Sequence, residues 1–115
     1  MSEKEKYLGE FEQVALLALV KLGKEAYGAN IRKLIHAEIK RDVAIGALYS
    51  TLDRLESKGM VVSSFGCETP KRGGRPKKYF EVTSVGKEAL QKSRDAMSAM
   101  WTGVQLKSWI ETLHA

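Results

Sequence analysis

A chain of 115 residues with 43% hydrophobic and 29% charged side chains is long enough for one domain with its own core, and too apolar to be disordered throughout. A single cysteine, Cys67, excludes an internal disulfide and a multi-cysteine metal site; with no signal-peptide pattern, it points to a reducing, cytoplasmic setting. The net charge is +5, and five positive charges (Lys71, Arg72, Arg75, Lys77 and Lys78) share one acid-free stretch, so the rest of the chain is neutral and the excess marks a site for a polyanion.

In chain order, residues 1–7 are charged and expected to fray. Apolar residues are then dense from Leu8 to Leu22. Phe11, Val14, Ala15 and Ala18 share a helical face, with Leu17 and Val20 beside it. The run Val14–Val20 is far below the roughly 18 residues of a membrane span and reads as a helix buried on most sides, closed by Gly23. A second helix is predicted from about Tyr27 to Ile39, with Ile31, Leu34, Ile35 and Ile39 as its apolar stripe.

The third helix is predicted over about Ala44–Lys58, with Ile45, Leu48, Leu52 and Leu55 on its buried face and Gly59 as its stop. Gly46, Ser50, Asp53, Arg54 and Ser57 fall opposite. That outer face opens with Gly46 and Ala47, where a solvated helix favours Glu, Lys and Gln; so bare a surface suggests close approach to another body. The period then changes: Val61–Phe65 and Lys78–Val82 are short strands of a hairpin whose long tip is the basic stretch. Thr83 or Ser84 caps a last long helix, predicted to reach about Leu113.

Three helices and a hairpin make a mainly α fold with a small β-hairpin: a winged helix-turn-helix over residues 1–83, with a C-terminal dimerisation helix over 84–115, in one compact domain. The counter-charge of the basic tip is then phosphate. Its glycines let the chain lie close to a surface while Lys71, Arg72, Arg75, Lys77 and Lys78 contact the DNA backbone. Gly46, Ala47 and Ser50 face the bases, Arg54 lies on the same outward side, and the Tyr49 hydroxyl reaches a phosphate. The plainer readings are a solvated hairpin tip and a Tyr49 packed on the wing.

The last helix carries more apolar side chains than three small helices can cover: Leu90, Met97, Met100, Trp101, Val104, Leu106, Trp109, Ile110 and Leu113. A dimer seam through Phe11, Met97, Trp101, Val104, Trp109, Ile110 and Leu113 absorbs the surplus. A sharper reading makes Met97, Met100 and Trp101 line a pocket for a flat aromatic ligand, against plain packing of the same residues. An enzyme is not expected. His36 and His114 lack a ligand pattern, Cys67 has no histidine near it in sequence, and neither a phosphate-cradling loop nor a nucleophile elbow occurs. No metal and no cofactor are expected.

The segments GALYSTLDRLESKGMV (Gly46–Val61) and GGRPKKYFEVTSVGKEAL (Gly73–Leu90) resemble the PadR family of bacterial transcriptional regulators. The shared pattern is a Gly-x-Leu-Tyr helix, an Asp-Arg-Leu-Glu segment, a Gly-Arg-Pro-basic-x-Tyr wing and a Thr-x-x-Gly start to the last helix. Tyr27-Gly28 matches the family's Tyr-Gly pair, which adds Tyr27 and Asn30 at the start of the second helix to the DNA-facing set. The match spans about residues 8–90, and the single helix after the wing is similar to the family's small subgroup. The resemblance implies a homodimeric repressor on an inverted-repeat operator, dimerised by its last and first helices. It also implies release by a small aromatic compound stacked at Trp101, or less well at Trp109. Two positions depart from the pattern: Ala44 replaces a usual Ser, Thr or Pro, and Gly103 interrupts the last helix at about 1 kcal/mol relative to Ala. The rival of another class is a winged-helix protein-interaction module without operator recognition, against which the basic wing argues.

Overall fold

The computed structural model describes residues 7–66 and 76–106. Its elements are α1 (Glu10–Leu22), α2 (Gly28–Ile39), α3 (Ile45–Ser57), β1 (Val61–Phe65), β2 (Lys78–Val82) and α4 (Ser84–Trp101), with a 3-10 turn at Gly23–Glu25. Leu16 of α1, Ile31 of α2, Leu48, Leu52 and Leu55 of α3, Val61 of β1 and Phe80 of β2 are the largest side chains fully removed from solvent. Each contributes roughly 1.5–3 kcal/mol by burial, so the core is where three helical faces meet the inner face of the hairpin.

β1 and β2 pair antiparallel in the register Val61↔Val82 to Phe65↔Lys78, and Gly66 N–H extends the ladder to Lys77 O. The hairpin does not stand alone. Tyr79 bridges Tyr27 across the other edge of β2, and Phe80 N–H donates to Ala26 O at 2.9 Å. The chain entering α2 is therefore a third, one-bridge strand, and it fixes the wing against the helix-turn-helix.

Both strands have the expected bounds, and the three winged-helix helices differ from expectation by one or two residues at their ends. The apolar run of α1 departs further. Ala15, Leu16, Ala18 and Leu19 are buried, whereas Leu17 and Val20 are 47% and 49% exposed. Leu17 lies at the mouth of an open apolar groove shared with Leu34 and Ile39 of α2, and Val20 borders the groove toward α4, so the helix is not buried on most sides. Ile39 and Ile45, assigned to buried stripes, are 49% and 42% exposed, because each stands at a helix end beyond the packed part of its stripe.

α4 also departs from the sequence reading. It ends at Trp101 instead of continuing to about Leu113. Thr102 N–H closes the last turn onto Ser98 O and Ala99 O, and Gly103 takes φ +85°, a left-handed conformation in which a side chain is strained. The apolar spacing continues through this point but the backbone does not. Trp109, Ile110 and Leu113, together with Cys67, Lys71, Arg72, Arg75, His114 and residues 1–6, lie outside the described residues.

Candidate nucleic-acid interface

The outer face of α3 is open. Gly46, Ala47 and Ser50 are exposed, and a Cβ added at Gly46 would meet nothing within 4 Å. Leu48, Thr51, Leu52 and Leu55 hold the opposite face in the core, which aims the small residues outward. Arg54 stands on the flank. Its Nη2 donates to Thr51 Oγ1 at 3.3 Å, and its charge acts on Glu12 of α1. Burial alone would raise the Glu12 carboxyl. The Gly9 N–H, the Lys58 ammonium at 3.2 Å and Arg54 outweigh it and hold the group below the usual carboxylate range.

Tyr49 packs on the wing and keeps its hydroxyl accessible. Its ring packs against Phe80 of the wing at 6.0 Å between centroids, yet the residue stays 36% exposed, and among the described residues no hydrogen bond engages its hydroxyl. That hydroxyl lies over the start of α2, where a Cβ on Gly28 would stand 2.5 Å from it. Gly28 is thus what lets Tyr49 cross the head of α2. The Tyr-Gly pair in the sequence was the only signal for it, and the reason was invisible there.

The base of the wing continues the same surface. Tyr27 meets Tyr79 edge to face at 5.4 Å, and Lys77 Nζ lies 5.0 Å above the Tyr27 ring. Lys78 Nζ sits 5.6 Å from Phe80 and 5.9 Å from Phe65. The ammonium groups of two lysines are thereby held against aromatic rings at the base of the wing. The structure brings Tyr27, Tyr49, Lys77 and Lys78 together beside the open face of α3, and adds Tyr79, the Tyr of the wing motif, which was not among the expected contact residues. Asn30 Nδ2 donates to Glu25 O at 3.0 Å and secures the turn before α2.

The residues proposed for ligand and partner contacts lie at the other side of the molecule. Met97, Met100 and Trp101 are 57%, 74% and 53% exposed. Gln13, Leu17 and Val20 of α1 and Leu90, Met97 and Trp101 of α4 line an open groove of about 480 Å³. Met100 is outside its lining, and Leu17 and Val20 are members that periodicity had assigned to a buried helix. Val104 is exposed as well. Phe11 is half-buried, with the Arg41 guanidinium 5.0 Å above its ring and Arg41 held by Glu10 at 2.7 Å. Among the described residues no cluster of His, Cys, Asp and Glu could hold a metal ion, and no helix is long and apolar enough to cross a membrane.

The profile of the transcriptional regulator PadR-like family matches residues 16–92. Among solved structures, a PadR-like transcription factor from Bacteroides fragilis is 26% identical, with 90% of this chain and 86% of that chain covered at a TM-score of 0.61. A PadR family transcriptional regulator from Eggerthella lenta is also 26% identical, covering 90% of this chain and 88% of that chain at a TM-score of 0.63. A transcriptional regulator from Clostridium thermocellum, 24% identical over 79% of this chain and 82% of its own, has a TM-score of 0.66 and supports the winged-helix fold. No curated protein matches the chain. The family match runs from α1 into α4 and takes in the open α3 face and the wing base, so the chain belongs to the PadR-like family of transcriptional regulators and is a DNA-binding regulator of transcription.

Proposed function

We propose that the protein is a cytoplasmic repressor that binds an inverted-repeat operator as a homodimer and is released by a small aromatic compound. The observation that carries this reading is the open, small-residue face of α3 flanked by aromatic-seated lysines at the wing base. Gly46, Ala47 and Ser50 enter the major groove, where small side chains permit close approach to base edges. Tyr27, Tyr49, Lys77 and Lys78 contact the flanking phosphates, and Lys71, Arg72 and Arg75 extend those contacts along the wing. Asn30 and Arg54 border the same surface.

Residues 1–83 form the DNA-binding part, and residues 84–115 the dimerisation part. The apolar groove between α1 and α4 takes the second copy, with Met97, Trp101 and Val104 at the seam and Phe11, Trp109, Ile110 and Leu113 extending it. Two-fold pairing would place the two α3 helices about 34 Å apart, in successive major grooves. A flat aromatic compound stacked on Trp101, beside Met97 and Met100, acts only through its different affinities for two spacings of those helices.

Selection of bound fragments from random duplex DNA, followed by mobility shifts at two salt concentrations, tests the reading. An inverted repeat should emerge. Arg75→Ala with Lys77→Ala should flatten the dependence of log K on log salt by up to about one unit per lost phosphate contact. No enriched sequence and no salt-dependent shift would overturn the reading and leave a protein-interaction module. Flat dyes should quench tryptophan fluorescence in the native chain and much less in Trp101→Ala; equal quenching would remove the ligand site.

A further inference from the structure

One side chain joins the two working ends of the molecule. Thr83 sits between β2 and α4, and its hydroxyl makes two hydrogen bonds in opposite directions. It donates to Gly59 O at 2.6 Å and accepts from Gly86 N–H at 3.1 Å. The second bond caps α4. The first does nothing for α4; it holds the carbonyl of the glycine that terminates α3. There Gly59, at φ +78°, turns the chain so that Gly59 N–H returns to Glu56 O and Met60 N–H to Leu55 O. Thr83 N–H also donates to Met60 O at 2.9 Å.

The far side of the joint is closed by Gly86. A Cβ there would overlap the Met60 carbonyl oxygen and stand 2.7 Å from Val82 Cγ1. The first turn of α4 is therefore seated directly on the backbone that leaves α3.

We propose that Thr83 is a positioning residue that sets the angle between α4 and α3, and through it the placement of the DNA-reading face relative to the second copy. This rests on the reading that α3 enters DNA and α4 pairs with a second chain. α4 has 18 residues. A helix of that length spans about 27 Å, so a tilt of about 10° at its base moves its far end by about 5 Å. That exceeds the roughly 3.4 Å rise of one base step. Leu8 N–H donating to Ser93 Oγ at 3.0 Å braces α4 further along, and Thr83 fixes its base to the end of α3.

The test reads the angle inside one chain. In a Cys67→Ser background, nitroxides at Asp53→Cys on α3 and Asp95→Cys on α4 report their separation by pulsed electron spin resonance, with labelled chain diluted in excess unlabelled chain. Thr83 and the rescue variant Thr83→Ser should both give one narrow distance. Thr83→Val, which keeps the shape but removes the hydroxyl, should broaden the distribution at temperatures well below its melting point. Gly86→Ala, which keeps the hydroxyl but lifts α4 off Met60, should shift the mean distance, and it carries the test if Thr83→Val does not fold. A distribution in Thr83→Val that superimposes on the parent, or an unmoved mean in Gly86→Ala, would overturn the proposal. Neither readout needs DNA or a second copy, so failure of the repressor reading leaves both intact. With the selected operator, Thr83→Val should lose affinity while remaining dimeric and Thr83→Ser should restore it; loss of the dimer instead would assign Thr83 to folding alone.

Discussion

Gly28 and Glu12 show how single residues set this surface in ways that composition does not. Adding a methyl at Gly28 would force the Tyr49 hydroxyl from its seat over α2, although Gly28 itself is buried beneath that side chain. Gly28→Ala should therefore weaken binding to all DNA sequences alike, with a smaller effect on melting temperature than Leu52→Ala, where core truncation costs about 2–5 kcal/mol. A sequence-dependent loss would place Tyr49 at a base rather than a phosphate. Glu12 bears on stability instead. Its folded carboxyl lies below the value of 4.5 it has when unfolded, so its contribution is present above that pH and is lost as pH falls through the folded value. Glu12→Gln should lower the melting temperature at pH 7, with the deficit shrinking as pH falls below the usual carboxylate range. A deficit that persists in acid would mean that packing of the side chain, rather than its charge against Lys58 and Arg54, is what Glu12 supplies.

At the scale of elements, the proposed reading of DNA by α3 makes the sharpest demand on orientation. Ser50→Glu should abolish operator binding in a mobility shift while leaving the thermal transition within about 0.5 kcal/mol, the usual range for surface changes. Destabilisation comparable with Leu52→Ala would mean that this helix is turned the other way. α2, α3 and both strands were legible because their apolar residues keep a single period that ends in a clear stop. The limits appear where period and backbone disagree. In α4 the apolar spacing runs on past Gly103, yet Gly103 turns at φ +85° and the helix is already over at Trp101. In α1 seven apolar residues in a row conceal which of them lack a neighbour. Leu17 and Val20 are left half open in the grooves that α1 makes with α2 and α4, a property of the assembled fold. At the wing, the sequence shows the two strands and the basic residues between them, while the seating of Lys77 on Tyr27 depends on a bridge between distant segments.

The whole molecule is two-sided. An aromatic and basic surface lies at α3 and the wing, and an apolar groove of about 480 Å³ lies between α1 and α4. Under the dimer reading, Leu17→Glu puts a charge into the seam from α1 without touching α4 or the core. It should sediment as a monomer and bind DNA with a reduced salt slope, since only half of the phosphate contacts remain per bound unit. A dimer that survives this change would place the seam off the groove. The bridge from Tyr27 to Tyr79 has a consequence for how the molecule assembles. It closes a loop of about fifty residues, and such a closure carries an entropic cost that local pairing between β1 and β2 does not meet. The attachment of β2 to the chain entering α2 is thus expected to form after the local β1–β2 ladder, and hydrogen exchange that protects Phe80 N–H as early as the ladder amides would overturn this order.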